Sequence, residues 1–323
     1  MTKRLSRKRP NPQSLIPSPM STGSWRNQTL SFLRRRFDEA GIRPHTQLGQ
    51  NFLVDLNLQR LLLETARLEP DDVVLEVGTG TGSLTAMIAA RAAAVVTVEV
   101  DRRLFQLASE ELFGLENVTM LQADALRNKN RLNPVVLEAV AAQLRAGPQR
   151  RLKLVANLPF NVATPILSNL LATDHPPQTM TATIQKELAD RMAARPGTKD
   201  YSALSIWVQS QCRVEIVRVL PPTAFWPQPK VSSAFIQVTL DEALRSRIPD
   251  RQFFHEFIRA MFFHRRKLLR SELLSAFKTR LDKPAVDRLL ATLGIAASAR
   301  AEELSVETLL ALCEAVRAQV SPG

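Results

Sequence analysis

A glycine-rich loop between an apolar strand and a helix is the feature that most limits the possible folds of this chain. The run Val73–Val77 is typical of a buried parallel strand, and it leads into Gly78-Thr-Gly-Thr-Gly82. Over Leu84–Ala93, apolar residues then recur at the spacing of a helix. This order predicts a doubly wound α/β fold with a cofactor at the loop, where Gly78 and Gly80 allow it to approach the backbone.

The spacing of the glycines separates two classes of cofactor. A dinucleotide fingerprint has its third glycine five positions after the first, where this chain has Ser83. Here the third glycine comes four positions after the first. The spacing therefore disfavours a pyrophosphate, and with it an NAD-dependent oxidoreductase, and favours a nucleoside cofactor without phosphates.

Acidic residues follow the next two predicted strands. Glu99 ends the strand Ala94–Val98, 21 positions after Gly78, where a carboxylate can accept both ribose hydroxyls of a nucleoside. Asp124 follows the strand Val118–Gln122 and could accept from an adenine amino group. The alternatives are a helix N-terminal acid for Glu99 and a turn residue for Asp124. Asp101 is better placed to cap the helix 102–112. Jointly the loop and the acids favour S-adenosylmethionine.

The tetrapeptide Asn157-Leu158-Pro159-Phe160 follows another apolar strand, Leu152–Ala156. The Asn157 side-chain oxygen and the Leu158 carbonyl can accept the protons of an exocyclic amine, and Pro159 has no N–H to compete. Phe160, with Phe225 or Phe235, offers an aromatic face for the base. This set suits methylation of adenine N6, and the alternative is an ordinary turn after a strand.

With these residues the chain resembles the small-subunit ribosomal RNA adenine dimethyltransferases, the kasugamycin-sensitivity group, from Gln47 onward. The matching stretches are Gln47–Leu53, Glu76–Gly80, Asn157–Pro165, Gln185–Glu187, Pro221–Phe235, His264–Lys267 and Arg300–Ser305. The resemblance implies a Rossmann-like methyltransferase sheet with a small C-terminal helical domain. It implies dimethylation of two adjacent adenines in the 3′-terminal hairpin of small-subunit rRNA.

The same resemblance implies roles for individual residues. Asn51, Leu53, Gly78, Glu99, Asp124 and Asn157 would line the S-adenosylmethionine pocket, and residues 157–160 would also hold the target adenine. Two positions depart from the family: Phe160 replaces the usual Tyr, which keeps the stacking face, and Phe263-His264 replaces Asn-Gln or Gln before the Arg-Arg-Lys run. The second departure leaves the role of that polar position open.

Two readings compete with this function. Antibiotic-resistance dimethyltransferases of large-subunit rRNA share the Asn-Leu/Ile-Pro-aromatic and Pro-rich loops, whereas the segment Arg300–Glu307 favours the small-subunit group. A non-catalytic RNA-binding assembly factor, or a mitochondrial transcription factor derived from the same fold, is the other reading. The intact set of cofactor residues argues against it.

The charge of the chain is unevenly distributed. Net charge is +12; residues 1–50 carry ten Lys/Arg against two acids, and residues 251–280 carry eight against two. Such basic clusters indicate a polyanionic partner. We expect RNA contact on a helix over 265–278, with Lys230 in the Pro-rich loop contributing, and the alternative is pairing of these arginines with acids such as Glu256 or Glu272. The expected RNA-binding residues are Arg265, Arg266, Lys267, Arg270 and Lys230.

The remaining composition excludes several classes. Two cysteines and four scattered histidines give no disulfide framework and no zinc spacing, so a reducing cytoplasm and no metal are expected. No apolar run reaches about 18 residues, so no membrane-spanning helix is expected. The Pro-rich N-terminal segment lacks the apolar central region of a secretory signal peptide, although an organelle transit peptide remains an alternative. We expect a monomer with a basic, partly disordered extension (1–40), a methyltransferase domain (41–240) and a helical RNA-contacting domain (241–323).

Overall fold

The computed structural model describes residues 29–45 and 48–320. Most of the extension expected over residues 1–40 therefore lies outside the described residues, as does Gln47. Within them, no helix combines the length and apolar character needed to cross a bilayer.

The elements alternate along the chain as the sequence predicts. The strands are β1 (Phe52–Leu53), β2 (Asp72–Val77), β3 (Ala94–Glu99), β4 (Val118–Gln122), β5 (Leu126–Asn128), β6 (Arg131–Leu132), β7 (Arg151–Asn157), β8 (Thr179–Gln185), β9 (Cys212–Leu220), β10 (Phe225–Trp226) and β11 (Ser233–Leu240). The α-helices are α1 (Leu30–Glu39), α2 (Leu56–Ala66), α3 (Ser83–Ala89), α4 (Arg102–Glu111), α5 (Pro134–Arg145), α6 (Ala163–Ala172), α7 (Lys186–Met192), α8 (Ala203–Gln209), α9 (Glu242–Arg245), α10 (Arg251–Met261), α11 (Leu269–Ala276), α12 (Lys283–Thr292) and α13 (Val306–Val320).

Seven of the described strands form one sheet in the order β4-β3-β2-β7-β8-β11-β9. The pairs from β4 to β8 are parallel, and β11 runs antiparallel to both β8 and β9. The predicted doubly wound sheet is therefore confirmed, and it ends in two antiparallel pairs. The chain crosses from β4 to β7 at the middle of the sheet, which places β2 and β7 side by side and opens a crevice at their carboxyl ends.

Both faces of the sheet are covered, which explains the uninterrupted apolar strands. Along β2, Val73 and Leu75 belong to the core on one face, and Val74 belongs to the core on the other face, with Leu62 of α2 and Ile88 of α3. All six residues of β2 are buried. Full burial fixes the positions of the strand ends, from which the functional side chains project.

The C-terminal helices continue the core of the sheet domain. Trp207 of α8 is almost fully buried, and its ring lies 6.4 Å from that of Phe254 of α10 and 4.5 Å from that of His255. Burial lowers the pKa of His255, because the charged imidazolium would lose solvation against this apolar surface. The helical region is thus anchored on the sheet domain through α8 and α10.

One predicted helix boundary is wrong. The helix predicted over 265–278 begins only at Leu269, and residues 262–268 form a turn between α10 and α11. The basic run Arg265–Lys267 therefore lies in a turn, where its side chains can diverge instead of sharing one helical face.

Candidate active site

A cleft opens at the carboxyl ends of β2, β3, β4 and β7. It collects most of the residues that the sequence assigns to a cofactor site. Its lining includes Asn51, Gly78, Gly80, Glu99, Asp124, Asn157 and Pro159. These residues span more than a hundred positions of sequence, and the crossover of the sheet brings them together.

The glycine loop forms the floor of the cleft. Gly78 and Gly80 have φ of +90° and +59°, a region that L side chains rarely adopt. A Cβ at Gly78 would lie 3.2 Å from the ring of Pro159. Glycine is therefore required both for the turn and for the close approach between this loop and the tetrapeptide after β7.

Glu99 lies at the edge of this floor with its carboxylate held by backbone groups. Its Oε2 accepts from Gly80 N–H at 2.9 Å and its Oε1 accepts from Asp101 N–H at 2.9 Å. Burial raises the pKa of Glu99, and these backbone hydrogen bonds act against that shift. A carboxylate has about four acceptor sites, so these contacts leave capacity to accept from a ribose hydroxyl.

Asp101 has the capping role predicted for it. Its Oδ1 accepts from Arg103 N–H at 2.8 Å and from Leu104 N–H at 3.2 Å, which satisfies two unpaired donors in the first turn of α4. The capping role predicted for Asp101 is therefore confirmed, and Glu99 lies in the cleft instead of at the helix start.

Glu76 is a second carboxyl beneath the loop, which sequence analysis treated only as part of the strand. It is buried, and its Oε2 accepts from Thr85 Oγ1 at 2.5 Å and from Thr97 Oγ1 at 2.7 Å. Thr97 Oγ1 also lies 2.7 Å from Thr79 Oγ1 in the glycine loop. Burial is the main cause that raises the pKa of Glu76 to about 8. Near neutral pH this carboxyl is therefore mostly protonated. Its hydrogen-bond network connects β2 with β3, α3 and the glycine loop.

Asp124 forms a turn and also lines the cleft. Its Oδ1 accepts from Leu126 N–H at 2.9 Å, so it forms the side-chain turn that was the alternative reading. It also lines the cleft and is exposed there. Its second carboxylate oxygen remains available as an acceptor for an amino group.

Asn157 has the most informative hydrogen-bonding state in the cleft. Its Nδ2 donates to the backbone carbonyl of Asn51 at 2.8 Å. Its Oδ1 is buried and has no hydrogen-bond partner among the described residues. A buried acceptor without a donor costs free energy, on the order of 1–3 kcal/mol, that a ligand amine would recover. The side chain is thus oriented by Asn51 and keeps its oxygen for a donor that the protein does not supply.

The rest of the tetrapeptide is held around this side chain. Leu158 is buried, and its N–H donates to the Thr183 carbonyl at 3.2 Å. Phe160 is half-buried, and its ring meets that of Phe225 edge to face, with centroids 6.3 Å apart. Phe235, offered as another stacking residue, is fully buried in the core of the sheet and is excluded from that role.

A two-stranded sheet places Phe225 near the cleft. β1 pairs antiparallel with β10, with Phe52 opposite Trp226 and Leu53 opposite Phe225. The Pro-rich loop is thereby tied to the segment that lines the cofactor cleft. Phe37 of α1 is buried against both strands, with its ring centroid 5.1 Å from Phe52 and 5.2 Å from Trp226.

Leu53 departs from its expected position. Its side chain is buried in the core shared with α2, and it is not among the residues that line the cleft. Its carbonyl accepts from Gln59 Nε2 at 2.8 Å, which fixes β1 to α2. Leu53 therefore supports the cleft wall, and the adjacent Phe52, which sequence analysis did not single out, forms it.

The predicted RNA-binding residues divide into two groups. Arg265 pairs with Glu302, and Arg270 makes hydrogen bonds of 2.6 and 2.9 Å to the Asp287 carboxylate. The alternative reading, pairing with acids, therefore holds for these two arginines, although the partners are not Glu256 or Glu272. Arg266, Lys267 and Lys230 are exposed, and within residues 29–45 and 48–320 none of them lies within 4 Å of a carboxylate.

The described residues contain no group of three or more His, Cys, Asp or Glu side chains able to hold a metal. What the cleft does contain fits S-adenosylmethionine: a glycine floor that a Cβ would fill, a carboxylate with spare acceptor sites, and a buried amide oxygen without a donor. Fold and cleft together define the class of Rossmann-like, S-adenosylmethionine-dependent methyltransferases.

Comparisons with known proteins refine this class. Residues 41–317 match the family described as ribosomal RNA adenine dimethylase. The chain is 39% identical over 282 residues to "Ribosomal RNA small subunit methyltransferase A" of Bacillus cytotoxicus and of Bacillus mycoides, covering 86% of this chain and 93% of each relative. The chain belongs to the ribosomal RNA adenine dimethylase family, and its cofactor is S-adenosylmethionine.

Solved structures agree on the fold. A dimethyladenosine transferase from Plasmodium falciparum matches with a TM-score of 0.65 at 22% identity, covering 80% of this chain and 94% of that one. The 23S rRNA methyltransferase ErmE matches with a TM-score of 0.56 at 25% identity, covering 82% and 99%.

Proposed function

We propose that this chain dimethylates N6 of two adjacent adenines in the 3′-terminal hairpin of small-subunit ribosomal RNA, as a step of subunit maturation. The observation that carries the proposal is the buried Asn157 Oδ1, which has no donor among the described residues and belongs to a side chain that lines the cleft together with Gly78 and Gly80. The curated relatives named small subunit methyltransferase A support the choice of ribosomal subunit. The resemblance of the motifs supports the choice of target adenines.

The cofactor half of the cleft orients the methyl donor. Glu99 accepts from the ribose hydroxyls, Asp124 accepts from the adenine amine, and the backbone of Gly78 and Gly80 allows close approach. When bound, S-adenosylmethionine supplies a sulfonium methyl group, so that an N–C bond forms as an S–C bond breaks. Val100, half exposed next to Glu99, offers an apolar surface for the cofactor's adenine.

The tetrapeptide acts on the target amine. The lone pair of N6 is delocalised into the purine ring, which makes it a weak nucleophile. Asn157 Oδ1 and the Leu158 carbonyl would accept the amine protons and turn the N–H bonds out of the ring plane, which localises the lone pair towards the methyl group. Because the alkylated nitrogen is acidic, it loses its proton to solvent without a dedicated base.

The aromatic side chains hold the base. An adenine in a hairpin must leave its stack to reach this cleft, and stacking on a side-chain ring offsets part of that cost. Phe160 supplies the ring, and Phe225 fixes its orientation from the side. Two transfers to one nitrogen require the methylated base to be held again in the same place.

Further features of the proposal concern RNA contact and organisation. Arg266, Lys267 and Lys230 would contact phosphates, since they are exposed and lack acidic partners in the described part of the chain. We propose a cytoplasmic monomer with a catalytic domain over 41–240 and an RNA-contacting helical domain over 241–323.

The test uses undermethylated ribosomal subunits. Purified small and large subunits are incubated separately with the protein and methyl-labelled S-adenosylmethionine, and the modified nucleotides are mapped by mass spectrometry. Dimethyladenosine at two adjacent adenines of small-subunit RNA is expected. Label confined to large-subunit RNA would support the antibiotic-resistance type of activity instead, and no transfer with intact cofactor binding would support a non-catalytic role. Asn157→Ala is the control, because it removes the acceptor and leaves the helical domain intact.

A further inference from the structure

The turn between α10 and α11 presents an aromatic ring to solvent. Phe263 is 77% exposed, whereas its neighbour Phe262 packs against Tyr201 with ring centroids 6.2 Å apart. The Phe263 ring meets His264 edge to face at 4.7 Å. His264 Nδ1 in turn lies 3.2 Å from the buried carboxylate of Glu272. The exposed ring is thus flanked in sequence by Phe262, which packs against Tyr201, and by His264, whose ring it meets.

The turn that carries this ring and a neighbouring loop both hold cations. Arg265 pairs with Glu302 and donates through NH2 to the Thr198 carbonyl at 3.0 Å, which draws the loop 195–199 against the turn. Arg266 and Lys267 follow Arg265 in the turn. Arg195 and Lys199 belong to the neighbouring loop, and all four side chains are in exposed residues. Within the described residues none of these four cations has a carboxylate within 4 Å.

We call this the aromatic-basic surface: Phe263, Arg266, Lys267, Arg195 and Lys199. Its positive charge is not balanced by nearby acids, so the surface attracts a partner of opposite charge. A polyanion supplies that charge along its whole length, whereas another protein would need a matching acidic patch. Every base has a flat face that can stack on an aromatic ring, and proteins read unpaired RNA by combining such stacking with phosphate contacts. The surface lies outside the cofactor cleft and shares no residue with it.

We propose that Phe263 stacks on an unpaired base of the ribosomal RNA while Arg266, Lys267 and Lys199 contact the flanking phosphates. This docking site rests on the proposed function, because it takes the same RNA as its ligand. It assigns a stacking role to a position where the family commonly has Asn and this chain has Phe.

The test compares variants of Phe263 with a matched surface phenylalanine. Affinity is measured for undermethylated small subunits and for protein-free small-subunit RNA. Phe263→Ala should weaken both by about five- to hundredfold, since base stacking contributes that range, and Phe263→Trp should retain the affinity. Phe113, 89% exposed and flanked by Glu111 and Glu116, is the control, and Phe113→Ala should bind like the parent protein.

Salt dependence separates the ring from the cations. Phe263→Ala removes no phosphate contact and should keep the slope of log affinity against log salt, whereas Arg266→Ala and Lys199→Ala should each lower it by about one unit. Equal binding by Phe263→Ala, or failure of Phe263→Trp to retain affinity, would overturn the stacking role.

Other partners give different outcomes. If Phe263→Ala loses affinity for intact subunits but not for protein-free RNA, the surface binds a ribosomal protein. If Phe263→Ala changes the elution volume in gel filtration, the surface binds a second copy of the chain. Either result overturns the proposal. Affinity for protein-free RNA is read without methyl transfer. A failure of the proposed function, seen as absent methylation by the parent protein, is therefore distinguishable from a failure of this site.

Discussion

Replacing Glu76 with glutamine should remove a large part of the decline in stability between about pH 5 and pH 8. The Glu76 carboxyl is buried below the glycine loop, and its pKa is raised from 4.5 to about 8. The folded protein therefore holds a proton that the unfolded chain releases above pH 4.5. The contribution of this group to stability is fully present below about pH 4.5, and it is lost as the pH rises through about 8.

The magnitude follows from the shift. Each pH unit between the two pKa values changes the free energy of unfolding by about 1.4 kcal/mol, so the contribution falls by about 2.5 kcal/mol between pH 5 and pH 7. Glutamine resembles the protonated carboxyl in shape, and its Oε1 can accept from Thr85 and Thr97 as Glu76 Oε2 does. Glu76→Gln should therefore keep the network without the titration.

Urea unfolding at about pH 5, 6, 7 and 8, followed by circular dichroism, measures this difference. The free energy of unfolding of Glu76→Gln should rise relative to that of the parent protein as the pH increases. Glu64→Gln is the control, because Glu64 is exposed on α2 and its variant should follow the parent curve. If the parent protein and Glu76→Gln lose stability in parallel over this range, the carboxyl is already ionised in the fold and the reasoning is wrong.

Three further predictions concern the cleft and the RNA-binding surface. Glu99→Ala should weaken S-adenosylmethionine binding by about 1–3 kcal/mol through loss of the ribose acceptor, and unchanged affinity in calorimetry would remove Glu99 from the site. Phe160→Tyr should be nearly neutral, whereas Phe160→Ala should lose about 1–3 kcal/mol of base stacking with little effect on cofactor affinity; full turnover of the alanine variant on RNA would contradict this. Arg266→Glu should flatten the salt dependence of subunit binding without changing the melting temperature. Arg265→Glu should lower the melting temperature, because it places a second acid beside Glu302. The opposite pattern would show that Arg265 contacts phosphate and that Arg266 stabilises the fold.

Much of the sheet was predictable because its strands carry a strong local signal. Strands buried on both faces are continuous apolar runs. The predicted strand 118–122 coincides with β4. The strands predicted before the glycine loop and before Glu99 differ from β2 and β3, respectively, by one residue at one end. Helix ends were less accurate: α3 ends at Ala89, four residues before the predicted end at Ala93. Residues 90–93 form a turn before β3, and Ala92 in that turn is buried in the core, so burial rather than helical geometry extended the apolar signal.

The grouping of the expected cofactor residues in one cleft was predictable for a topological reason. Parallel strands of one sheet end at the same edge, so a glycine loop and acids that follow successive strands must meet there. No such rule relates Phe52 to Gly80, although a Cβ on Gly80 would lie 3.3 Å from the Phe52 ring. β1 is two residues long and pairs with β10 across more than 170 positions, so it has no periodicity that a sequence could reveal.

The basic residues show why composition predicts a surface but not the role of each side chain. Four cations in six positions predict contact with a polyanion whatever their conformation. Whether a given arginine is available depends on acids that only the fold brings near: Arg265 meets Glu302 across 37 positions, and Arg270 meets Asp287 across 17. Because those two pairs fix the turn and the helix that follows it, Arg266 and Lys267 are presented in one arrangement beside Phe263. If the proposed RNA contact is right, the paired arginines contribute to it indirectly, because their ion pairs fix the backbone that carries the exposed cations and the exposed ring.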